Sequence, residues 1–386
     1  MMLRRHLLWI LTLSGVAVHL PPVAAQSVTP LCQPVVGDPQ TVTTPAQRKA
    51  AGMIAIPPIT DQQFGFAWPD SEFGVIPIAA GYAFFASDGA HHDPNNKYGS
   101  VTRTLGTLDN PLGTAPPIDV IIQPNPDPAL NPRYAAYTYL GGGRIYLVPA
   151  GQPGAGNLLD VYHAEINTHT SFYSLLGLAV STDGGLHWTD LGEIIQPNQP
   201  YQPGLAGFDI GSPRLVDSPD GQYFYVYFPD WISNGTTQPT TATVISVARA
   251  PIASVLQAAF GAGPHAAAFE KYYEQAWDQP GIGGLSTDLN PNAAYGGSPN
   301  VAYNQALQRY AMIADDTLNI SYAESPDGLS WTLPLLLEQG NFNYAVPIGT
   351  GPDPNILGEE FYVFFTYSSP TGWPGNAVQR FTVSCH

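Results

Sequence analysis

Hydrophobic and polar positions alternate or cluster in short runs, and the same two-run phrase returns along the chain. Five runs rich in aromatic and β-branched residues, Tyr82–Asp88, Leu158–Glu165, Tyr223–Asp230, Tyr310–Asp316 and Phe361–Tyr367, each finish at or near a polar residue. Apolar runs of this length, bounded by Gly, Pro, Asn and Asp, predict buried strands. A second strand-like run follows each one: Ser100–Leu105, Leu176–Ser181, Val244–Arg249, Asn319–Ser325 and Val378–Ser384. The pair recurs about every 70 residues, and two units open alike with Gly211-Ser212-Pro213 and Gly297-Ser298-Pro299. A repeat of this kind buries its faces against its neighbours. Five four-stranded units set radially predict an all-β fold, a five-bladed β-propeller. The rhythm breaks once, from Pro251 to Trp277, where Ala-rich stretches predict a short helical insertion in blade three with Pro251 in its first turn.

The first 25 residues read as a signal peptide: Arg4 and Arg5, an apolar stretch from Leu7 to Val18, then the small residues Val23, Ala24 and Ala25 before Gln26. Residues 26–386 then form a single propeller domain, secreted to an extracellular or periplasmic space; an uncleaved anchor is the alternative. No other apolar run is long enough to span a bilayer. The two cysteines, Cys32 and Cys385, stand at opposite ends of that domain. In an oxidising compartment they suggest one disulfide tying the ends together, with two free thiols as the alternative.

Composition narrows the partners. With 39 Gly and 39 Pro but 44% hydrophobic residues, the chain is too apolar for a disordered tail and has no collagen period. The net charge of −17 opposes binding to nucleic acid or to anionic membrane surfaces, both of which require a basic face. A monomer is expected. No cofactor is indicated, and no metal: His91-His92-Asp93 are consecutive and cannot converge on one ion as spaced ligands do.

Two strand ends carry a specific turn. Ser181-Thr182-Asp183-Gly184-Gly185-Leu186-His187-Trp188 fits S-x-D-x-G-x-x-W, and Ser325-Pro326-Asp327-Gly328-Leu329-Ser330-Trp331 is one residue shorter. Here the sequence resembles the Asp-box (BNR-like) propellers, which include sialidases, and the five-bladed glycoside hydrolases of the arabinanase and invertase type. In such a turn Ser181, Asp183, Ser325 and Asp327 are structural: the carboxylates accept backbone N–H bonds, Gly185 and Gly328 supply positive φ, and Trp188 or Trp331 packs between sheets.

If these turns join the third and fourth strands, the ends of the second strands point to the opposite face. Asp88, Glu165, Asp230 and Asp315 with Asp316 stand there, joined by Asp70 and Asp209 on the crossings into inner strands. Glycoside hydrolysis requires one carboxylic acid to protonate the leaving oxygen and a second carboxylate to activate water or attack the sugar. Glu165, Asp70 and Asp209 are the candidate catalytic groups. Glu165 is the candidate acid, because alternation places His163 beside it. Asp88, His163, Asp230, Trp231 and Arg214 are candidate substrate-binding residues, and Trp68 and Tyr162 are further rings able to stack on sugars. Each has a structural alternative as a turn cap, a solvated loop residue or blade core.

The departures from the resemblance also count. The Asp-Pro-Asn-Gly, Arg-Asp-Pro and Glu-Cys signatures of the invertase type are missing, and Glu165 falls in blade two, whereas the arabinanase pattern implies a Glu in blade three. An acidic ring with few arginines disfavours a sialidase. The expected function is a secreted glycoside hydrolase acting on neutral carbohydrate, the alternative a non-catalytic carbohydrate- or surface-binding propeller.

Overall fold

The computed structural model describes residues 28–53, 68–89, 99–143, 145–168, 171–203, 210–230, 244–289, 297–367 and 376–386. The expected signal peptide lies outside these residues, as do His91, His92, Asp93, Asp209 and Trp231. The five pairs of apolar runs are the second and third strands of five antiparallel sheets, and the protein is an all-β, five-bladed propeller.

Blade 1 comprises Gly74–Ile78, Gly81–Ser87, Val101–Gly106 and Ile118–Val120, from the axis outward. The inner strand of blade 2 is split into Tyr139–Gly141 and Ile145–Leu147, followed by Leu158–Thr168, Ser171–Ser181 and Trp188–Ile195. Blade 3 runs Arg214–Asp217, Tyr223–Asp230 and Val244–Pro251, then the outer hairpin Glu270–Tyr273 and Ala276–Pro280. In blade 4 the order is Ser298–Asn304, Arg309–Asp315, Asn319–Ser325 and Leu335–Gln339. Blade 5 has Phe342–Gly349, Glu360–Tyr367 and Ala377–Cys385, and its outer edge comes from the start of the chain, Pro34–Val36 and Gln40–Thr43.

Because successive side chains alternate between the two faces of a strand, each sheet offers apolar residues to both neighbours. Leu159 and Val161 of blade 2 meet Phe224, Val226 and Phe228 of blade 3, whereas Tyr227 and Val247 of blade 3 meet Val301 and Met312 of blade 4. Trp68 and Tyr162 belong to these inter-blade layers, so their rings are not sugar platforms: both are buried, Trp68 edge-on to Phe73 and Tyr162 donating its hydroxyl to Asp190 at 2.7 Å. Large rings fill the wedge that opens between radial sheets.

The helical insertion is shorter than the sequence suggests. Helix α2, Ile252–Phe260, begins just after Pro251, which is extended and caps it, and buries Ile252, Val255, Leu256 and Ala259. The second Ala-rich stretch is instead the outer hairpin of blade 3. Gly261, Gly263 and Pro264 interrupt any longer helix, and Tyr272 and Tyr273 favour the strand that pairs Lys271 with Ala248. Among the described residues no helix is long and apolar enough to cross a membrane.

The ring closes where the chain's ends meet. Pro34–Val36 and Gln40–Thr43 both pair antiparallel with Ala377–Cys385, and Cys32 is disulfide-bonded to Cys385. The buried Glu324 of blade 4 holds the incoming segment, accepting from Leu31 N at 2.8 Å and Cys32 N at 2.7 Å. Beyond the second edge strand, Thr44 caps the short helix α1, Pro45–Ala50, through a reciprocal pair of bonds with Gln47.

The two Ser-x-Asp turns join third strands to fourth strands. Ser181 Oγ donates to Asp183 Oδ1 at 2.9 Å and accepts from Gly185 N, while Asp183 Oδ1 accepts from the amides of Leu186 and His187. Ser325 and Asp327 repeat the arrangement with Gly328, Leu329 and Ser330. Gly185 has φ +90°, and a Cβ there would lie 2.4 Å from the Phe85 ring. That close approach seats Trp188 edge-on against Phe85 of blade 1 at 6.1 Å; Trp331 stands in the same relation to Tyr227 of blade 3 at 6.0 Å.

Trp188 is fully buried and Trp331 only partly. Trp188→Ala should therefore cost about 3 to 5 kcal/mol in urea unfolding, and Trp331→Ala distinctly less; equal losses would contradict this packing. Reduction of the Cys32–Cys385 bridge should lower stability by up to about 5 kcal/mol on the chain-entropy account, and unreduced peptide maps should recover the two termini linked.

Candidate active site

The entry to the inner strand of blade 1 is fastened to the end of the second strand. Asp70 N donates to Ser87 O at 2.8 Å, and Ser87 N donates to Ser71 Oγ at 2.9 Å. These ties set Asp70 beside Asp88, which follows Ser87 directly. Both are buried, Asp70 at 8% exposure.

Blade 2 contributes Glu165. Its strand continues to Thr168 before turning back, so Glu165 sits below the hairpin tip, with Tyr139 opposite on the inner side and Ser174 on the outer. Tyr162 and Ala164 point into the blade core, leaving His163 and Glu165 half-buried on the other side of the strand. The His163 ring centre lies 5.8 Å from that of Tyr139.

Tyr344 of blade 5 supplies a phenol. It stands at an irregularity where the pairing slips between Asn343 and Val346, with φ +61°, a left-handed conformation uncommon for a tyrosine. From there its hydroxyl donates to Asp70 Oδ1 at 2.9 Å, while the Tyr139 hydroxyl donates to the backbone O of Asp70 at 3.4 Å.

Burial pushes the Asp70 carboxyl well above the usual carboxylate range. The Tyr344 hydrogen bond opposes this, and the neighbouring charges of Glu165 and Asp88 reinforce it. Burial, and then the charge of Asp70, likewise push up the Tyr344 and Tyr139 hydroxyls, so both remain protonated donors. One carboxyl of raised proton affinity thus sits beside two further carboxyl groups from two strand ends. Beneath it the buried Glu72 accepts from Asn300 Nδ2 at 3.2 Å, a bond that crosses the axis between the non-adjacent blades 1 and 4.

The other sequence candidates are placed differently. Asp230 is buried in an ion pair with Lys271, whose Nζ lies 3.3 Å from its Oδ2, and the same oxygen accepts from Ser286 Oγ at 2.7 Å. Burial lowers the Lys271 pKa, with the Asp230 charge opposing. Asp315 Oδ2 accepts from Ala345 N, and Asp316 Oδ1 accepts from Leu318 N and Asn319 N within a turn. Arg214 donates to Val301 O at 2.9 Å and to Asn355, whose own amide donates to Val75 O. Asn355 belongs to the loop between the first two strands of blade 5, so Arg214 serves the opposite end of the channel from Asp70. Asp209 is outside the described residues; Ile210, which follows it, bridges Asp230 and exchanges two hydrogen bonds with Ser174, the residue opposite Glu165.

Beside Tyr344 lies a cavity of about 280 Å³ walled in part by Ser298, Asp315 and Asn343. Gly297 borders it with φ +97°, where a Cβ would fall 1.5 Å from Asp315 O. Ser298 Oγ donates to Ser212 Oγ at 2.7 Å, so the repeated Gly-Ser-Pro phrases meet each other at the entries of blades 3 and 4. Among the described residues no three His, Cys, Asp or Glu side chains converge as a metal site.

Sequence reasoning missed Glu72, Tyr139 and Tyr344. The one available signal was positional. Ala345-Val346-Pro347-Ile348 parallels Val75-Ile76-Pro77-Ile78, which places Tyr344 directly before, and Glu72 three residues before, the apolar stretch of an inner strand.

No family model and no curated protein sequence matches the chain. Among solved structures it is similar to the catalytic domain of the Coprinopsis cinerea GH62 α-L-arabinofuranosidase, at 9% identity over 86% of this chain and 94% of that one, with a TM-score of 0.46. It is also similar to Zg3597, a family 117 glycoside hydrolase of the marine bacterium Zobellia galactanivorans, at 13% identity over 84% and 88%, TM-score 0.47. A thermostable family-43 glycoside hydrolase matches at 13% identity over 82% and 92%, TM-score 0.41. Identities this low carry no site residue across.

Proposed function

We propose that the protein is a glycoside hydrolase acting on neutral carbohydrate outside the cytoplasm. The observation that carries the reading is the buried Asp70, its pKa raised, with Glu165 and Asp88 as its charged neighbours. In this reading Asp70, not Glu165, gives its proton to the glycosidic oxygen. Glu165, half-buried rather than fully enclosed, acts as the partner that takes a proton from the attacking water or attacks the anomeric carbon itself. Tyr344 and Tyr139 orient Asp70. Asp88 and His163 line the mouth, and Asp209 is proposed as a third carboxylate on sequence grounds alone. The leader-like first 25 residues and the terminal disulfide support the location.

A non-catalytic carbohydrate-binding propeller is the second reading. It is favoured by the commitment of Asp230 to Lys271 and of Asp315 to Ala345, which ties two strand-end carboxylates into the scaffold.

The test is a screen of arabinosides, xylosides, fructosides and galactosides, followed by two variants. Asp70→Asn should slow substrates with poor leaving groups by about 10²-fold or more and slow aryl glycosides less, since aryl groups leave without protonation. Glu165→Gln should slow both kinds alike. The reverse pattern would return the acid role to Glu165, and sugar binding without turnover of any substrate would favour the second reading.

The raised pKa also predicts a pH effect on folding. Folded Asp70 keeps its proton where the unfolded carboxyl has lost it, so its contribution is present in acid and is lost as pH rises through its raised folded pKa. Asp70→Asn should therefore melt higher than the wild type at neutral and alkaline pH, with the gap closing in acid; a gap independent of pH would count against a proton on Asp70.

A further inference from the structure

The segment that closes the ring also reaches the carboxylates. After the outer edge strand Gln40–Thr43, the capping box at Thr44 and Gln47 fixes the start of α1, and its last turn carries Arg48. On so short a surface helix an arginine would ordinarily lie in solvent, yet Arg48 is 6% exposed. Its Nη1 donates to Trp68 O at 2.6 Å, and its Nη2 donates to Asn376 O. Trp68 stands two residues before Asp70, and Asn376 immediately precedes the last strand of blade 5. Asp88 is the charge that acts on the guanidinium, opposing the burial that lowers its pKa.

We propose that Arg48 is a positioning residue for the carboxylate site: its buried guanidinium fixes the Trp68–Asp70 segment through the Trp68 carbonyl and places a cation beside the carboxyls that this segment carries and meets. This rests on reading Asp70, Asp88 and Glu165 as the working carboxyls, but its physical content is a charge coupling that exists whether or not a sugar is cleaved. The groups facing Asp70 are Tyr344 from blade 5, Tyr139 and Glu165 from blade 2, and Asp88 from its own blade. Arg48 is the cation coupled to that set, through Asp88. Carboxyls that interact through their charges titrate as a set, so removing a cation that acts on one of them raises the proton affinity of the whole set.

The experiment follows the infrared band of protonated carboxyl, assigned by the part lost in Asp70→Asn, against pH in the full-length protein. In Arg48→Met the band should persist to higher pH than in the wild type. Arg48→Lys should titrate near the wild type, because the charge stays. Where Arg48→Met does not fold, Arg48→Gln, which keeps donors without charge, is read in its place. A folded, uncharged variant that titrates like the wild type would overturn the proposal. With whichever non-aryl glycoside the wild type cleaves, Arg48→Met should lose on the order of tenfold in kcat with little change in KM. Arg48→Lys should recover only part of that rate, since one ammonium replaces a fork that holds two carbonyls. If the wild type cleaves no glycoside, the hydrolase reading fails while the band still decides the role of Arg48.

Discussion

A ring of sheets has no natural end, so its first and last blades must be made to share one. Here the sharing is literal: blade 5 takes three strands from the end of the chain and its outer edge from the beginning. The inter-blade layers depend on that joint, because each sheet is covered on both faces only when the circle is complete. Val42, on the second edge strand, packs in the same cluster as Val346, Phe364 and Val378 of blade 5 and Trp68, Phe73 and Phe84 of blade 1. The site sits at this seam, where Asp70 and Tyr344 face each other across the boundary between blades 1 and 5.

The blades were legible in the sequence because a strand buried on both faces has to be apolar almost throughout, and five such runs at a steady interval leave few alternatives. The sequence predicts helix beyond Phe260 because alanine favours helix locally, whereas pairing with Val244–Pro251 is a tertiary demand that composition does not display. Nothing in the apolar rhythm announced α1 or the division of the blade 2 inner strand around Gly142 and Gly143, where Ser87 Oγ bonds the Gly142 carbonyl and Asp160 Oδ1 bonds Gly143 N.

The carboxylates were legible as positions and not as chemistry. Strand ends locate Asp88, Asp230 and Asp315 on one face, but only the fold reveals that a lysine 41 residues downstream occupies Asp230, or that the backbone of the next blade occupies Asp315. Asp70, whose carboxyl burial pushes well above its usual range, is met by two tyrosines distant in sequence. No local pattern records how deeply a carboxyl will be enclosed. Burial, here the leading cause of its altered acidity, is a property of the assembled ring.

Glu324 gives the closure a further meaning. Its two oxygens take the amide hydrogens of Leu31 and Cys32, and the Tyr322 hydroxyl steadies Oε1 at 2.9 Å. A cysteine separated from its partner by 353 residues would meet it seldom in a free chain. With its own backbone amide docked on a carboxylate from blade 4, that cysteine is presented as a tethered reactant, at an effective concentration set by the docked segment rather than by the length of the loop. The disulfide fastens the same seam that these hydrogen bonds hold, so the carboxylate of blade 4 acts as a jig for the cysteine that closes the ring.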